Sequence, residues 1–124
     1  MSLPPDLMYT GDHEWIASED GVSTVGVTAH ASDALGDVVY LDLPAVGSTI
    51  KAGETCGEIE STKSVSDLFA PADGAVVEVN EAALADPGLV NTDPFGAGWL
   101  FRMRITGTPE LLDAAAYTAL TAGA

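Results

Sequence analysis

Positive charge is scarce in this sequence. Four Lys and Arg face nineteen Asp and Glu, for a formal net charge of -15. Phosphate backbones and anionic membrane surfaces attract cations, so the balance argues against binding nucleic acid or a membrane. A field of this sign speeds encounter with basic protein surfaces. It fits a need for solubility or a high-salt habitat equally well. Cysteine is nearly absent: Cys56 alone cannot form an internal disulfide, which suits a reducing compartment. His13 and His30 are the only histidines, and no spacing resembles a zinc site, so no metal is expected. There is no Gly-rich phosphate loop ending in Lys and no Gly-x-Ser-x-Gly elbow. The apolar runs are too short to span a bilayer. The start, Met1 to Pro5, lacks a basic region followed by an apolar stretch, so no secretory signal is expected and a cytoplasmic location follows. With so few chemical groups, no catalytic residue is expected, and a self-contained enzyme is the less favoured class.

What is present is a dispersed apolar pattern. Of 124 residues, 47% are apolar. That is enough for one domain over 1–124 with a core needing no disulfide or metal. The pattern reads as short strands separated by turn residues. Glu14–Ala17 and Ser23–Thr28 flank the turn Glu19-Asp20-Gly21 and predict a hairpin. Thr28 can cap a short helix through Leu35, with Gly36 as its stop. Asp37–Leu43 is the clearest strand. Thr55–Glu60, Val65–Phe69, Gly74–Val79 and Gly98–Ile105 follow, for a β core over about 13–105. Pro44-Ala45-Val46-Gly47 and Pro71-Ala72-Asp73-Gly74 share a turn pattern that hints at internal duplication. Asn80 can cap Glu81–Ala85, which Pro87-Gly88 ends. Thr108 and Pro109 can start a C-terminal helix over about 109–121. Its stripe is Leu111, Leu112, Ala115, Ala116, Ala119 and Leu120. Many short strands with peripheral helices predict a mainly β barrel or sandwich. Trp15 and Trp99 read most simply as core aromatics.

Among the bases, Lys51 fits an exposed turn, and Arg102 and Arg104 fit the outer face of a strand. Lys63 stands apart, in Glu60-Ser61-Thr62-Lys63-Ser64 between two strand candidates. Its flanks are small and hydroxylated. At a hairpin tip it would be accessible and held in a fixed orientation, which suits modification by another enzyme. An ordinary exposed turn lysine fits the spacing as well. Cys56, beside Gly57, reads as a small buried hydrophobe.

Several separated blocks, in order and spacing, resemble the H-protein family of the glycine cleavage system. They are Tyr9-Thr10 with His13-Glu14-Trp15, Val25 to Thr28 with Leu35 to Val39, and Glu60 to Ser64 with Ser66-Asp67-Leu68. Ala70-Pro71, Gly74 to Glu81, Leu89-Val90-Asn91, Asp93-Pro94 and Gly98-Trp99-Leu100 continue the likeness. The resemblance implies a lipoyl-type barrel-sandwich hybrid with short peripheral helices and a C-terminal helix. It also implies lipoate joined by an amide to Lys63. The arm would carry an aminomethyl group from glycine decarboxylase, a pyridoxal phosphate enzyme, to a tetrahydrofolate-dependent aminomethyltransferase. A flavin enzyme, dihydrolipoamide dehydrogenase, would reoxidise it, and a lipoate-attaching enzyme would load it. The carrier itself would catalyse nothing and would work most simply as a monomer. Family contacts of the arm map onto Asp12, Glu14 and Asp67, with His30 facing the arm or sitting at a cap or core edge. Asp12 departs from the small hydroxyl residue often seen, Thr62 replaces a usual Val, and Ala29 replaces a polar residue. A lipoyl carrier or relay for another pathway, and an unmodified binding domain of the same fold, stay open. Biotin carriers place Met on both sides of the lysine, unlike Thr62 and Ser64.

Overall fold

Strand alternation and turn chemistry build two antiparallel sheets. The computed structural model describes residues 7–107 and 111–122. The larger sheet runs β1 (Met8–Tyr9), β2 (Glu14–Glu19), β3 (Val22–Val27), β9 (Phe101–Ile105), β8 (Gly74–Val79) and β5 (Thr49–Ile50). The smaller has β6 (Thr55–Ser61) between β4 (Val38–Asp42) and β7 (Val65–Phe69). The expected hairpin is β2–β3: Asp20 and Gly21 have φ of 53° and 79°. Positive φ at both turn residues matches the right-handed twist of the strands.

One apolar cluster unites the two sheets. Ile16, Val25, Val76, Phe101 and Met103 come from the large sheet, and Leu41, Ile59 and Leu68 from the small. Tyr9, Trp15 and Tyr117 form a second cluster. The Tyr9 and Tyr117 rings stack at 5.0 Å, and Trp15 Nε1 donates to Pro94 O at 2.8 Å. Gly26 faces Trp15 in register, and a Cβ there would enter the indole.

Two short helices follow their expected caps. Thr28 Oγ1 accepts from Ala31 N ahead of α1 (Ala29–Leu35), and Asn80 Oδ1 accepts from Ala82 and Ala83 N ahead of α2 (Glu81–Ala85). A side-chain oxygen satisfies N–H groups that the first turn leaves without partners. The four-residue α3 (Leu89–Thr92) has no side-chain cap and too few residues to show a helical period. The last helix, α4, is Ala114–Ala122, a later start than the expected 109. Thr108 and Pro109 lie outside the described residues. Leu112 is not helical; it pairs with Tyr9 as a bridge. The expected stripe is also corrected, since Ala115, Ala116, Ala119 and Leu120 are exposed and Tyr117 is the buried residue. The ring of Tyr117 offers more area to the Tyr9–Trp15 cluster than the alanines do. Trp99 is half-buried: it packs at the edge of the Tyr9–Trp15 cluster, and the Arg102 guanidinium covers its ring at 4.1 Å. The strand β4 breaks alternation at a bulge between Val38 and Tyr40, leaving both Val39 and Tyr40 exposed. Among the described residues, no helix is long and apolar enough to cross a membrane.

Candidate functional site

The turn between β6 and β7 carries Lys63, and backbone bonds fix it. Ser61 N donates to Ser64 O at 2.8 Å, and Ser61 Oγ accepts from the N–H groups of Ser64 and Lys63 at 3.1 and 3.4 Å. Thr62 N donates to Asp37 O at 3.0 Å, tying the tip to the chain entering β4. Thr62, Lys63 and Ser64 are all exposed. The strand periodicity alone left this register open; the structure makes the tip a three-residue hairpin loop.

Beside the tip lies a cavity of about 260 Å³. Its apolar wall includes Val27, Leu35, Ile59 and Leu68, and Ser64 and Ser66 line the side towards the tip strand. Asp12, Glu14 and Asp67 line it too, so three of the residues singled out by sequence share one cavity. The fourth, His30, does not line it. His30 is exposed, and its ring lies against that of His13 at 4.6 Å. The cavity-lining histidine is His13.

Sequence patterning missed His13 because the backbone turns there. Its φ is 65°, in the left-handed region. Three consecutive residues, 12 to 14, therefore line one cavity, where a strand would send alternate residues to opposite faces. Thr28 N donates to His13 O at 3.0 Å, and His13 Nδ1 shares a 2.7 Å hydrogen bond with the Tyr117 hydroxyl. Tyr117 in turn shares 2.8 Å with Thr28 Oγ1. Burial, and then the neighbouring His30, hold His13 below the ordinary imidazole range. Both favour the neutral ring, against the nearby Asp12.

Glu14 is the unusual group. It is 1% exposed. Its Oε1 accepts from Thr10 Oγ1 at 3.2 Å, while Oε2 has no hydrogen-bond partner among the described residues. Desolvation by burial pushes its carboxyl up to about 8; the Thr10 bond opposes this and Asp12 adds to it. Near neutral pH the cavity is therefore lined by an uncharged acid. Cys56 is half-buried, and burial followed by Glu14 pushes its thiol up to about 12, so no thiolate is available. No cluster of three or more metal-ligating side chains occurs among the described residues.

Comparison with known proteins places these features in context. The model of the family described as glycine cleavage H-protein matches residues 7–122. A glycine cleavage system H protein of Beutenbergia cavernae is 62% identical over 123 residues, covering 99% of each chain. One from Streptomyces coelicolor is 60% identical, over 96% of this chain and 97% of its own. The crystal structure of a glycine cleavage system H protein from Mycobacterium marinum is similar, with TM-score 0.92 and 52% identity. It covers 97% of this chain and 99% of that one.

Proposed function

The chain belongs to the glycine cleavage H-protein family, and from that premise we propose that it is a non-catalytic carrier whose lipoyl arm is joined by an amide to Lys63. The observation that carries the reading is the juxtaposition of an exposed lysine at a fixed tip with a cavity lined by Glu14, whose buried Oε2 has no partner among the described residues. The residues present suit such a group. Lys63 is exposed, the cavity wall is largely apolar, and its acid has an acceptor with no partner among the described residues. When bound, lipoate supplies a disulfide that is reduced as it takes up an aminomethyl group and is later reoxidised.

The chain's own residues hold that load. Val27, Ile59 and Leu68 exclude water from the cavity, which slows hydrolysis of a labile adduct. Glu14 Oε2 accepts from an ammonium and ionises as it does so, since an adjacent cation favours the charged form. Asp12 and Asp67, both exposed, sit at the solvent side of the same cavity. A neutral His13 ring adds no repulsion against an entering cation. His30, outside the lining, acts on the load only through the His13 ring.

The whole chain serves as one carrier domain in the cytoplasm, as a monomer. Its partners are glycine decarboxylase, aminomethyltransferase, dihydrolipoamide dehydrogenase and a lipoate-attaching enzyme, and neither nucleic acid nor a membrane. The charge of -15 supports docking to basic surfaces on these enzymes. Intact mass and peptide mapping of protein purified from its native cell test the reading. The expected result is one lipoyl group on Lys63. An unmodified Lys63 in a cell whose other lipoyl proteins are loaded would overturn it.

A further inference from the structure

The stem of Lys63 does not extend freely from the tip. It runs along Gly36, the residue that ends α1. A Cβ built on Gly36 would lie 3.3 Å from Lys63 Cε, 3.7 Å from Cδ and 3.9 Å from Cγ. Three consecutive carbons of the stem thus follow the open face of one glycine. Gly36 has φ 78° and ψ -158°, a conformation that side-chain-bearing residues rarely adopt. Leu35 and Ser64, the chain neighbours of Gly36 and Lys63, both line the cavity. The stem therefore lies at the cavity's end.

The reversal that carries Gly36 is gripped from outside by a single side chain. Asn91, on α3, donates from Nδ2 to Gly36 O at 2.7 Å. Its Oδ1 accepts from Val38 N at 2.9 Å. Between these two points, Asp37 O accepts from Thr62 N of the hairpin tip. One side-chain amide thus holds the residues on either side of the point where the tip is docked. Its neighbour Val90 is fully buried in the main core, so the grip is anchored to the body of the molecule. Only an amide of this length supplies both a donor and an acceptor there; a carboxylate lacks the donor.

We propose that Asn91 is a positioning residue for the arm: by clasping Gly36 and Val38 it keeps the bed of the Lys63 stem in place, so that the arm is directed along the α1 cavity. The proposal rests on the carrier reading for the arm itself, but the clasp can be read without it. Asn91→Asp is close to isosteric; it removes the donor to Gly36 and sets a charged acceptor against that carbonyl, which opens the clasp.

The first readout is nuclear magnetic resonance relaxation of the Lys63 Cε in protein without lipoate. Asn91→Asp is expected to lower its order, whereas Val76→Ala, a core change chosen to lower Tm comparably, leaves it unchanged. The second readout is the rate at which a bulky water-soluble phosphine reduces the lipoyl disulfide in loaded protein. Asn91→Asp is expected to raise that rate about tenfold, of the order expected for losing one hydrogen bond, and Val76→Ala to leave it as in the parent. Gly36→Ala is expected to move both readouts in the same direction as Asn91→Asp. A folded Asn91→Asp protein with unchanged Cε order and unchanged reduction rate would overturn the proposal. So would equal effects from Val76→Ala, since the grip would then be general stability. If Lys63 proves to carry no lipoyl group, the carrier reading fails alone, and the Cε order still decides the clasp.

Discussion

The two sheets handle their polar groups in opposite ways. On the large sheet, Arg102 reaches from β9 to three partners: Glu78 at 2.9 Å, Thr24 at 3.0 Å and the face of Trp99. On the small sheet, Asp42 faces Glu58, and Glu58 faces Asp67, in one cross-strand row of like charge. Like charges directly opposite are destabilising, and no described cation forms an ion pair with any of the three. The same sheet exposes Val39, Tyr40 and Val65 and carries Lys63 at its tip. The large sheet pairs its outward Arg102, with Glu14 Oε2 on β2 the exception; the small sheet leaves a row of outward acids without a counter-charge among the described residues. On the proposed carrier reading, the unpaired acid row is the face left for docking to a basic partner surface.

The sharpest way to break this contrast is Lys63→Arg. It keeps the charge and removes the proposed acylation site. One-carbon transfer in a reconstituted glycine cleavage assay is expected to fall to background with Tm unchanged; normal turnover would refute the carrier reading. Next in size is Phe101→Ala on the large sheet. Phe101 is fully buried, and its truncation is expected to cost about 3–5 kcal/mol in denaturant unfolding. Val65→Ala on the small sheet is expected to stay within about 0.5 kcal/mol. Similar costs for the two would erase the division.

Glu14 sharpens the contrast through pH. Its folded carboxyl titrates at about 8 against an ordinary 4.5. Between those values the folded chain holds a proton that the unfolded chain has released, so stability falls as pH rises through the window. Glu14→Gln cannot titrate. Its advantage over the parent is expected to grow from little at about pH 5 to roughly 1–3 kcal/mol at about pH 8–9. A gap independent of pH would mean that Glu14 is ionised in the folded chain. The smallest effect belongs to the acid row. Glu58→Gln is expected to stabilise by about 0.2–1 kcal/mol. It should also slow association with a partner enzyme at low salt and leave the rate alone at high salt. Partner binding that stays flat with ionic strength would remove electrostatic docking from the account.

Much of the fold was legible because local signals agreed. Gly74–Val79 alternates and is β8; Thr28 and Asn80 offer cap oxygens and start helices. Features fixed by tertiary contact were not. Met8–Tyr9 is a strand because Leu112 and β2 lie on either side of it, and two residues carry no period. The β4 bulge hides an outward pair inside what reads as a continuous strand. Leu111 and Leu112 look like part of the helical stripe, yet Leu112 is held by backbone pairing instead. For the candidate site, residue types near Lys63 and the family likeness singled out the lysine and three acids, and the three acids line one cavity. Nothing in the spacing showed that Glu14 is buried or that His13 turns inward. Both follow from the left-handed backbone at residue 13, which is sustained by a tyrosine more than a hundred positions away.

That link has a kinetic side. The His13–Tyr117 bond joins residues 104 apart, and the Tyr117–Thr28 bond residues 89 apart. Contacts of such long range close late, because the loop entropy is lost before the contact repays it. The stretch from β9 to α4 carries both consequences: β9 fills the middle of the large sheet between β3 and β8, and Tyr117 closes the His13 corner. Sheet and cavity rim are therefore completed by the same step, and a chain lacking residues 101–122 is expected to have neither the finished core nor the rim.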